Sequence, residues 1–462
     1  MIRALRAVVP ASIFVLLLSE IILVFFCYTL AAYLTLDVDP YFFLMEENGL
    51  LRTGFALASI LLGLYFLDLY TNVHIRSEVA LLSWLSQVMG IAFIVQALLS
   101  YVDRNLILPR WVMLIGSSFC LVALFLWRLV YGFYVVRRLG TQRVLLLGTN
   151  PVIQEIAEAA GQRPELSLTI AGYVDDVPPD EPLRGGKLLG GLKDFRQIVA
   201  AVKPDLIVVG MSERRARLPV YDLLELRFSG IHIEEAGSSF EANCQRISTK
   251  ELRPSQLIFS GELGPRHSSV MAQTIYSALI ALAGAILFLP LMLLVALAVK
   301  VTSKGPALFR QTRVGLGGKL FTLYKFRSMA TDAEALTGPV WASQDDPRVT
   351  PLGRLLRRAR LDELPQFFNV LRGEMSIVGP RPERPEFVQA LSEQIPYYRQ
   401  RLCVKPGITG WAQINHKYAD TLEDTVKKLE YDLYYIKNLS PSLDAYIIFN
   451  TLKTMLLTRG AR

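Results

Sequence analysis

Long apolar stretches dominate the first third of the chain, and polar residues are confined to short segments between them. Most of these stretches are close to the ~20 residues that a helix needs to cross a bilayer. The first is longer than the ~7–15-residue core of a secretory signal, so we interpret it as a retained anchor. The pattern predicts a membrane α-helical bundle of four spans over residues 1–138, with apolar stretches at 8–33, 54–69, 79–99 and 111–136.

After residue 139 the pattern changes to short apolar strands that alternate with amphipathic helices. Strand-like segments cover residues 143–148, 168–173 and 205–210, and a helix-like segment covers residues 151–160. Such alternation predicts a Rossmann-like α/β domain with a parallel sheet over residues 139–265.

The first turn of this domain, at Gly148, lacks the second and third glycines of the dinucleotide-binding fingerprint. Asp175 and Asp176 follow about where an acid would contact a ribose. Nucleotide binding and a regulatory or assembly role are both left open by this pattern.

A fifth apolar stretch, residues 270–299, contains no charged residue and is interrupted by Pro290. Proline removes a hydrogen bond from a helix and kinks it. Basic residues flank both ends, with Arg266 before the stretch and Lys300 after it. We therefore expect a re-entrant helix that anchors an α+β catalytic domain over residues 266–462; a fifth crossing is the alternative.

The composition is 52% hydrophobic with a formal net charge of +8, which is too apolar for an ordinary soluble protein. Much of the basic excess lies beside the apolar stretches or in the C-terminal third, so we expect anionic lipid and phosphate as partners and no nucleic acid. The four cysteines and four histidines lack metal-ligand or redox spacing, which argues against zinc sites and structural disulfides.

Charged residues near the spans bear on orientation and packing. Glu20, Asp68 and Arg128 lie in or near spans, where a charge facing lipid is costly, and we interpret them as interhelix pairs or snorkelling groups. Basic residues in short loops face the cytoplasm by the positive-inside rule. The residues that predict this orientation are Arg3, Arg6, His74, Arg76, Arg137, Arg138 and Arg143.

The segment that follows the fifth stretch predicts a β-hairpin around residues 315–318. Its second strand would carry Lys325 and Arg327 at alternate positions. Alternate strand positions share a face, so the two cations are candidates for binding one anion together. A solvated strand face is the alternative.

Two adjacent acids, Asp362 and Glu363, follow a basic amphipathic helix that includes Arg357. Pro365 then marks the first turn of another helix, where carboxylates can be simple capping groups. The arginines upstream indicate a phosphate-rich ligand, whose charge must be neutralised before a carboxylate can attack phosphorus. The pair predicts nucleophilic phosphoryl transfer, in which one carboxylate holds Mg²⁺ and its neighbour attacks.

Two stiff loops supply further candidates. Arg381 lies between two prolines, which restrict the backbone and suit the side chain to gripping a phosphate. Lys405 and Trp411 lie on a glycine-rich loop, where Lys405 is a candidate for phosphate and Trp411 for a base or sugar. An ordinary tight turn is the alternative for this second loop.

The segments KFRSM, LDELPQFFNVLRGEMSIVGPRP and KPGITGWAQIN resemble the signature blocks of bacterial polyprenyl-phosphate hexose-1-phosphate transferases. The resemblance extends from residue 270 to the C terminus. The order of spans, α/β domain and transferase block is also similar to the large, multi-domain branch that starts exopolysaccharide repeat units.

The resemblance implies a role for each matching residue. Asp362 would be the nucleophile, and Glu363 would help to hold Mg²⁺ beside it. Arg381 would bind phosphate, with Arg357 and Lys325 as supporting cations. In the same family pattern, the proline at position 290 breaks the re-entrant helix.

Residues and resemblance together predict an enzyme that transfers hexose-1-phosphate from a UDP-hexose to polyprenyl (undecaprenyl) phosphate. UMP would be released and a phospho-sugar adduct would form on Asp362, as the first membrane step of exopolysaccharide biosynthesis. The catalytic domain would face the cytoplasm from the bacterial inner membrane, and the bundle and the α/β domain are candidate homodimer surfaces. The alternative is a membrane-bound nucleotide-sensing or scaffold protein with an inactive transferase-like domain.

Overall fold

A computed structural model of the chain divides into two compact units, Met1–Ser239 and Phe240–Arg462. The structure describes residues 11–456 apart from 37–38, 68, 71–77, 103–107, 132–141, 164–165, 167, 177–184, 212–217, 251–263, 331–347 and 417–420. Among the orientation residues, Arg3, Arg6, His74, Arg76, Arg137 and Arg138 lie outside this description, as does Asp68.

Helices form at each of the four apolar stretches of the first unit. Among the described residues of the whole chain, five helices are long and apolar enough to cross a membrane, four of them here. The helices are α1 (Ala11–Thr35), α2 (Pro40–Met45), α3 (Gly49–Phe66), α4 (Glu78–Val102) and α5 (Arg110–Val130).

An ion pair lies inside this bundle. The Nε of Arg128 on α5 donates to Oε1 of Glu20 on α1 at 2.7 Å, and both side chains are buried. Glu20 also accepts from the Tyr70 hydroxyl at 2.6 Å, and Arg128 donates to the carbonyl of Leu69 at 2.7 Å. The predicted interhelix pairing is therefore confirmed for Glu20 and Arg128, and the pair lets two charges occupy an apolar bundle.

The α/β part of the first unit contains one parallel sheet in the order β3-β2-β1-β4-β5. This order matches five of the six strands of the Rossmann order 3-2-1-4-5-6, and the parallel pairing is as the alternating pattern predicts. The elements are β1 (Gln142–Leu147), α6 (Pro151–Gln162), β2 (Leu168–Val174), β3 (Leu188–Gly190), α7 (Phe195–Val202), β4 (Leu206–Val209), α8 (Val220–Phe228) and β5 (His232–Glu235).

The glycine after β1 is explained by close packing. Gly148 has φ +106°, and a Cβ there would lie 2.5 Å from the carbonyl oxygen of Gly210, which follows β4. A Cβ on Gly210 would in turn lie 2.5 Å from the Ile153 side chain. Both glycines are therefore required by the close packing of neighbouring strand ends and helix α6. Their presence does not need a bound phosphate as its explanation.

The second unit combines helices with two small sheets. Strands β6 and β7 form an antiparallel hairpin, as the sequence predicts, and β8 and β9 pair in parallel. Helix α9 (Ala236–Cys244) contains the division between the units. The elements that follow are α10 (His267–Thr302), β6 (Leu308–Val314), β7 (Leu320–Phe326), α11 (Pro351–Arg358), α12 (Gln366–Leu371), β8 (Ser376–Val378), α13 (Pro385–Gln394), β9 (Gly407–Thr409), α14 (Trp411–Asn415), α15 (Leu422–Lys437) and α16 (Pro441–Leu456).

Helix α10 runs through Pro290 as one helix of 36 residues, about 54 Å if straight. Near its start, the Gln273 amide donates to the Tyr435 hydroxyl at 2.6 Å and to Asp444 at 2.7 Å. Near its end, Val295 and Val299 belong to an apolar cluster with residues of β7 and α11. Both halves of the helix therefore pack on the same unit, while the opposite face exposes large apolar side chains.

We expect Arg128→Met to destabilise the first unit by about 3–5 kcal/mol, because Glu20 would be left charged and buried without its partner. The double variant Glu20→Gln/Arg128→Met should recover most of that loss, since neither charge remains. Thermal unfolding in one detergent measures both effects. A double variant no more stable than Arg128→Met would contradict the role assigned to the pair.

Candidate functional site

The acidic pair lies on a tight turn between two helices. Helix α11 begins where the Thr350 hydroxyl accepts the amide of Gly353 at 2.9 Å. Gly353 is required there, because a Cβ would lie 1.9 Å from the carbonyl oxygen of Ser328. The 3-10 turn Leu361–Glu363 follows the helix, and α12 begins after Pro365. The predicted position of the acids just before a helix is confirmed.

Arg360 makes the sharp change of direction between α11 and the acids. Its φ is +53°, the left-handed region, which costs a non-glycine residue about 1–2 kcal/mol. Its amide donates to the carbonyl of Arg357 at 3.1 Å, and its own carbonyl accepts the amide of Glu363 at 3.2 Å. This role of Arg360 could not be predicted from the sequence, because a positive φ leaves no sign in the residue type.

Glu363 is the charge-paired member of the two acids. Its Oε1 accepts from Nζ of Lys325 at 2.8 Å and from Nη2 of Arg381 at 3.0 Å, and its Oε2 lies 3.9 Å from Nη1 of Arg360. Burial alone would raise the pKa of Glu363, but the charges of Lys325, Arg381 and Arg360 hold that pKa well below its usual range. Glu363 is therefore a carboxylate at neutral pH.

Asp362 is buried yet makes no hydrogen bond or ion pair within the described part of the chain. Burial, together with the charge of Glu363, raises the pKa of Asp362 to about 6. The charges of Lys325, Arg357 and Arg381 act in the opposite direction and limit the rise. At neutral pH Asp362 is thus mostly ionised and has an oxygen free to react.

The predicted cations have different partners. Lys325 on β7 and Arg381 after β8 meet at Glu363, whereas the Nε of Arg357 donates to the Ser328 hydroxyl at 2.9 Å. Arg327 does not join Lys325, because Nη2 of Arg327 donates to the carbonyl and hydroxyl of Ser303 at 2.9 and 2.6 Å. The reason is that β7 ends at Phe326, so strand alternation does not extend to Arg327.

Lys405 and Trp411, on the predicted glycine-rich loop, do not contact Asp362 or Glu363 among the described residues. The ammonium of Lys405 lies 3.8 Å from the position of a Cβ on Gly373, beyond the end of α12, and no described contact brings it to the acidic pair. Trp411 is only 2% exposed, stacks on Tyr434, and donates its indole N–H to the carbonyl of Gln245 at 3.0 Å. Trp411 is thus a core residue and is not open to a base or sugar.

A divalent cation would find two carboxylates at this site. Among the described residues, no group of three or more His, Cys, Asp or Glu side chains could form an all-protein metal site. Mg²⁺ does not require one, since it is often held by one or two carboxylates together with substrate phosphates and water. Asp362 and Glu363 fit that mode of binding, and Oε1 of Glu363 is already engaged by two cations.

Comparison with known proteins identifies the relatives of the chain. Residues 268–458 match the model of the bacterial sugar transferase family. A UDP-N-acetylgalactosamine-undecaprenyl-phosphate N-acetylgalactosaminephosphotransferase from Aeromonas hydrophila is 42% identical over 247 residues, which cover 54% of each chain. The match therefore spans about half the length of that relative.

Two further relatives extend the comparison. An exopolysaccharide production protein from Rhizobium leguminosarum bv. phaseoli is 42% identical over 191 residues, 40% of this chain and 94% of the relative. A UDP-glucose:undecaprenyl-phosphate glucose-1-phosphate transferase from Klebsiella pneumoniae is 36% identical over 346 residues, 72% of each chain. Since this last similarity includes most of both proteins, the chain belongs to the bacterial sugar transferase family.

Proposed function

We propose that the protein transfers a hexose phosphate from a UDP-hexose to polyprenyl phosphate, with Asp362 as the nucleophile. One observation carries the proposal: the buried Asp362 carboxylate, which has no ion-pair partner among the described residues, lies beside that of Glu363, whose charge is balanced by Lys325 and Arg381. The names of the relatives from Klebsiella and Aeromonas describe this type of transfer with glucose and N-acetylgalactosamine donors.

In the first step, an oxygen of Asp362 attacks the β-phosphorus of the donor. A bond forms between that oxygen and phosphorus, and the bond from the β-phosphorus to the bridging oxygen breaks, so UMP leaves with the bridging oxygen. The product is a hexose phosphate joined to the carboxylate, an acyl phosphate of the kind that aspartate nucleophiles form. Arg381 and Lys325 stabilise the charge that develops on the phosphoryl oxygens.

In the second step, a phosphate oxygen of the polyprenyl phosphate attacks the same phosphorus. The bond to Asp362 breaks, which restores the carboxylate and yields polyprenyl-diphospho-hexose. Both displacements occur at the same phosphorus, and Asp362 carries the adduct between them. Such a scheme predicts ping-pong kinetics. Burial of Asp362 protects the adduct, since water that reached it would hydrolyse it.

Mg²⁺ is part of the proposal. The residues that would hold it are Glu363 and Asp362, and a bound ion would neutralise phosphate charge and polarise the phosphoryl oxygens. Lys325 and Arg381 already supply two positive charges at Glu363, so the protein's own cations share that task.

We also propose that α10 enters the membrane and returns to the cytoplasmic face of the bacterial inner membrane. Support comes from contacts at both of its ends: Gln273 bonds to Asp444, and Val299 packs in the cluster that includes Phe326. A helix crossing a bilayer core of ~30 Å would separate its two ends by the full apolar layer. Contacts of both halves of α10 with one polar unit favour the re-entrant arrangement. Pro290 lies inside α10, where a proline allows a helix to bend.

The competing hypothesis is a membrane-bound sensor or scaffold with an inactive transferase-like unit. A scaffold has no need of a buried carboxylate that lacks a described partner, because such a charge destabilises the folded protein whether or not the group has a function. The retention of Asp362 beside a cation-balanced Glu363 therefore favours the enzyme.

We expect the purified protein to release UMP from at least one UDP-hexose when polyprenyl phosphate and Mg²⁺ are present. Asp362→Asn should reduce that release at least 10³-fold, because an amide does not attack phosphorus. Glu386→Gln serves as the control, since the Glu386 side chain is 59% exposed in the same unit and lies 3.7 Å from Arg384 on the same helix start. Release of UMP by the Asp362→Asn protein at the rate of the control would contradict the assignment of the nucleophile.

The rate of the first step should depend on pH through the ionisation of Asp362. Because only the carboxylate attacks, the rate should rise as pH increases through about 6 and level off above it. Arg357→Gln should move the inflection to higher pH, since the charge of Arg357 lowers the pKa of Asp362. Single-turnover UMP release between pH 5 and 8 measures this, with Arg354→Gln on the same helix as a control whose inflection stays in place.

Asp362→Asn should also make the protein more stable at pH 7. The pKa of Asp362 rises from an ordinary 3.8 to about 6 in the folded chain, so the charged form destabilises the fold by roughly 3 kcal/mol above pH 6. That cost declines as pH falls from the folded pKa of about 6 towards the ordinary value of 3.8, and it is absent when the charge is removed by mutation. A higher midpoint of thermal unfolding for Asp362→Asn is expected at pH 7 and a much smaller gain at pH 4.5; equal gains at both pH values would argue against it.

A further inference from the structure

The loop that carries Arg381 is held at every carbonyl from residue 380 to residue 383. The carbonyl of Pro380 accepts the Gly407 amide at 3.0 Å, and that of Glu383 accepts the Val314 amide at 3.0 Å. The two carbonyls between them are held by side chains rather than by backbone. Nη2 of Arg401 donates to the carbonyl of Arg381, and Nη1 of Arg313 donates to the carbonyl of Pro382, each at 3.0 Å.

The two side-chain donors, Arg401 and Arg313, are held in place by nearby carboxylates. Arg401 is 3% exposed and donates to Asp432 at 2.8 Å and to the Tyr398 hydroxyl at 3.0 Å. The carboxylate of Glu383 lies 3.7 Å from Arg313 and 4.0 Å from Arg401, and accepts from Nζ of Lys428 at 2.5 Å. The loop therefore rests on a buried network in which acids and bases nearly balance.

Guanidinium groups are better suited than ammonium groups to binding a loop carbonyl and a second side chain at the same time. An arginine carries several donors in a rigid plane, so one side chain can bind an acid and a backbone carbonyl together. Arg401 does so with Asp432 and Arg381, and Nε and Nη2 of Arg313 bind the Gln311 amide oxygen while its Nη1 binds Pro382. Each arginine thereby ties the loop to a different element, Arg401 to α15 and Arg313 to β6.

We propose that Arg313 and Arg401 are positioning residues, which hold the backbone of Arg381 so that its guanidinium meets Glu363 and the donor phosphate. The Arg381 side chain is 37% exposed, and its guanidinium donates to Glu363 at 3.0 Å. A side chain projects from its backbone, so bracing the carbonyls of residues 381 and 382 limits the positions that this guanidinium can reach. This inference rests on the proposed transfer reaction, in which Arg381 binds phosphate.

Arg313 is the residue to test, because its side chain is 18% exposed and lies on a hairpin strand. Truncation of Arg401 would leave Asp432 buried and unpaired, and would confuse positioning with unfolding. Arg313→Gln shortens the reach to Pro382 and removes the charge. Arg310→Gln is the matched control: Arg310 lies on the same strand, is exposed, and faces the Tyr324 ring.

We expect Arg313→Gln to lower kcat/KM for UMP release by about 10- to 100-fold, the cost of misplacing a binding group by about 1 Å. Arg310→Gln should lower it less than threefold. In an Arg381→Ala background, Arg313→Gln should cause no further loss, since the group it positions is gone. An equal fold-loss in both backgrounds would overturn the proposal, because it would show that Arg313 acts independently of Arg381.

A second measurement does not depend on catalysis. Amide hydrogen exchange in the peptide that contains residues 379–383 should be faster in Arg313→Gln than in wild type or Arg310→Gln. Unchanged exchange would overturn the positioning role even if no UDP-hexose is turned over. Failure of wild type to release UMP, with faster exchange in Arg313→Gln, would instead reject the proposed reaction and leave the loop support established.

Discussion

The bond of Glu363 to Lys325 and Arg381 is the interaction on which the site depends. Two adjacent carboxylates in a buried turn repel each other, and burial penalises both charges. The two cations compensate this for Glu363, whereas Asp362 has no ion-pair partner within the described part of the chain. A second buried carboxylate can therefore lie beside Glu363, because the surrounding charge is distributed unequally between the two acids.

Each partner in this arrangement comes from a different element. Lys325 is on the hairpin, the acids are on the turn after α11, and Arg381 follows β8. Helix α10 packs against several of these elements through Val295, Val299 and Gln273. The membrane helix is thus part of the core of the unit that it anchors, and its apolar outer face is available to lipid.

Much of this architecture could be predicted from the sequence. Apolar stretches and strand–helix alternation predicted the candidate membrane helices and the parallel sheet, because both depend on periodicity along the chain. The hairpin also follows the predicted pattern. The convergence of Lys325 and Arg381 on Glu363 was not predicted, because both cations were assigned to phosphate. Arg327 and Trp411 did not, because their contacts with Ser303 and Gln245 join segments distant in sequence, and residue type alone does not show where a strand ends. The support of the Arg381 loop by Arg401 had no local signal for the same reason.

The dependence of Arg381 on Asp432, through Arg401, relates the site to the order of synthesis. Residues of the membrane helices and the acidic turn leave the ribosome well before Asp432, which follows Glu363 in the chain by 69 residues. A nascent chain would already carry Asp362 and Glu363 while the loop of Arg381 still lacked its buried brace. The apolar segments can therefore begin to enter the bilayer before the support of the Arg381 loop is complete.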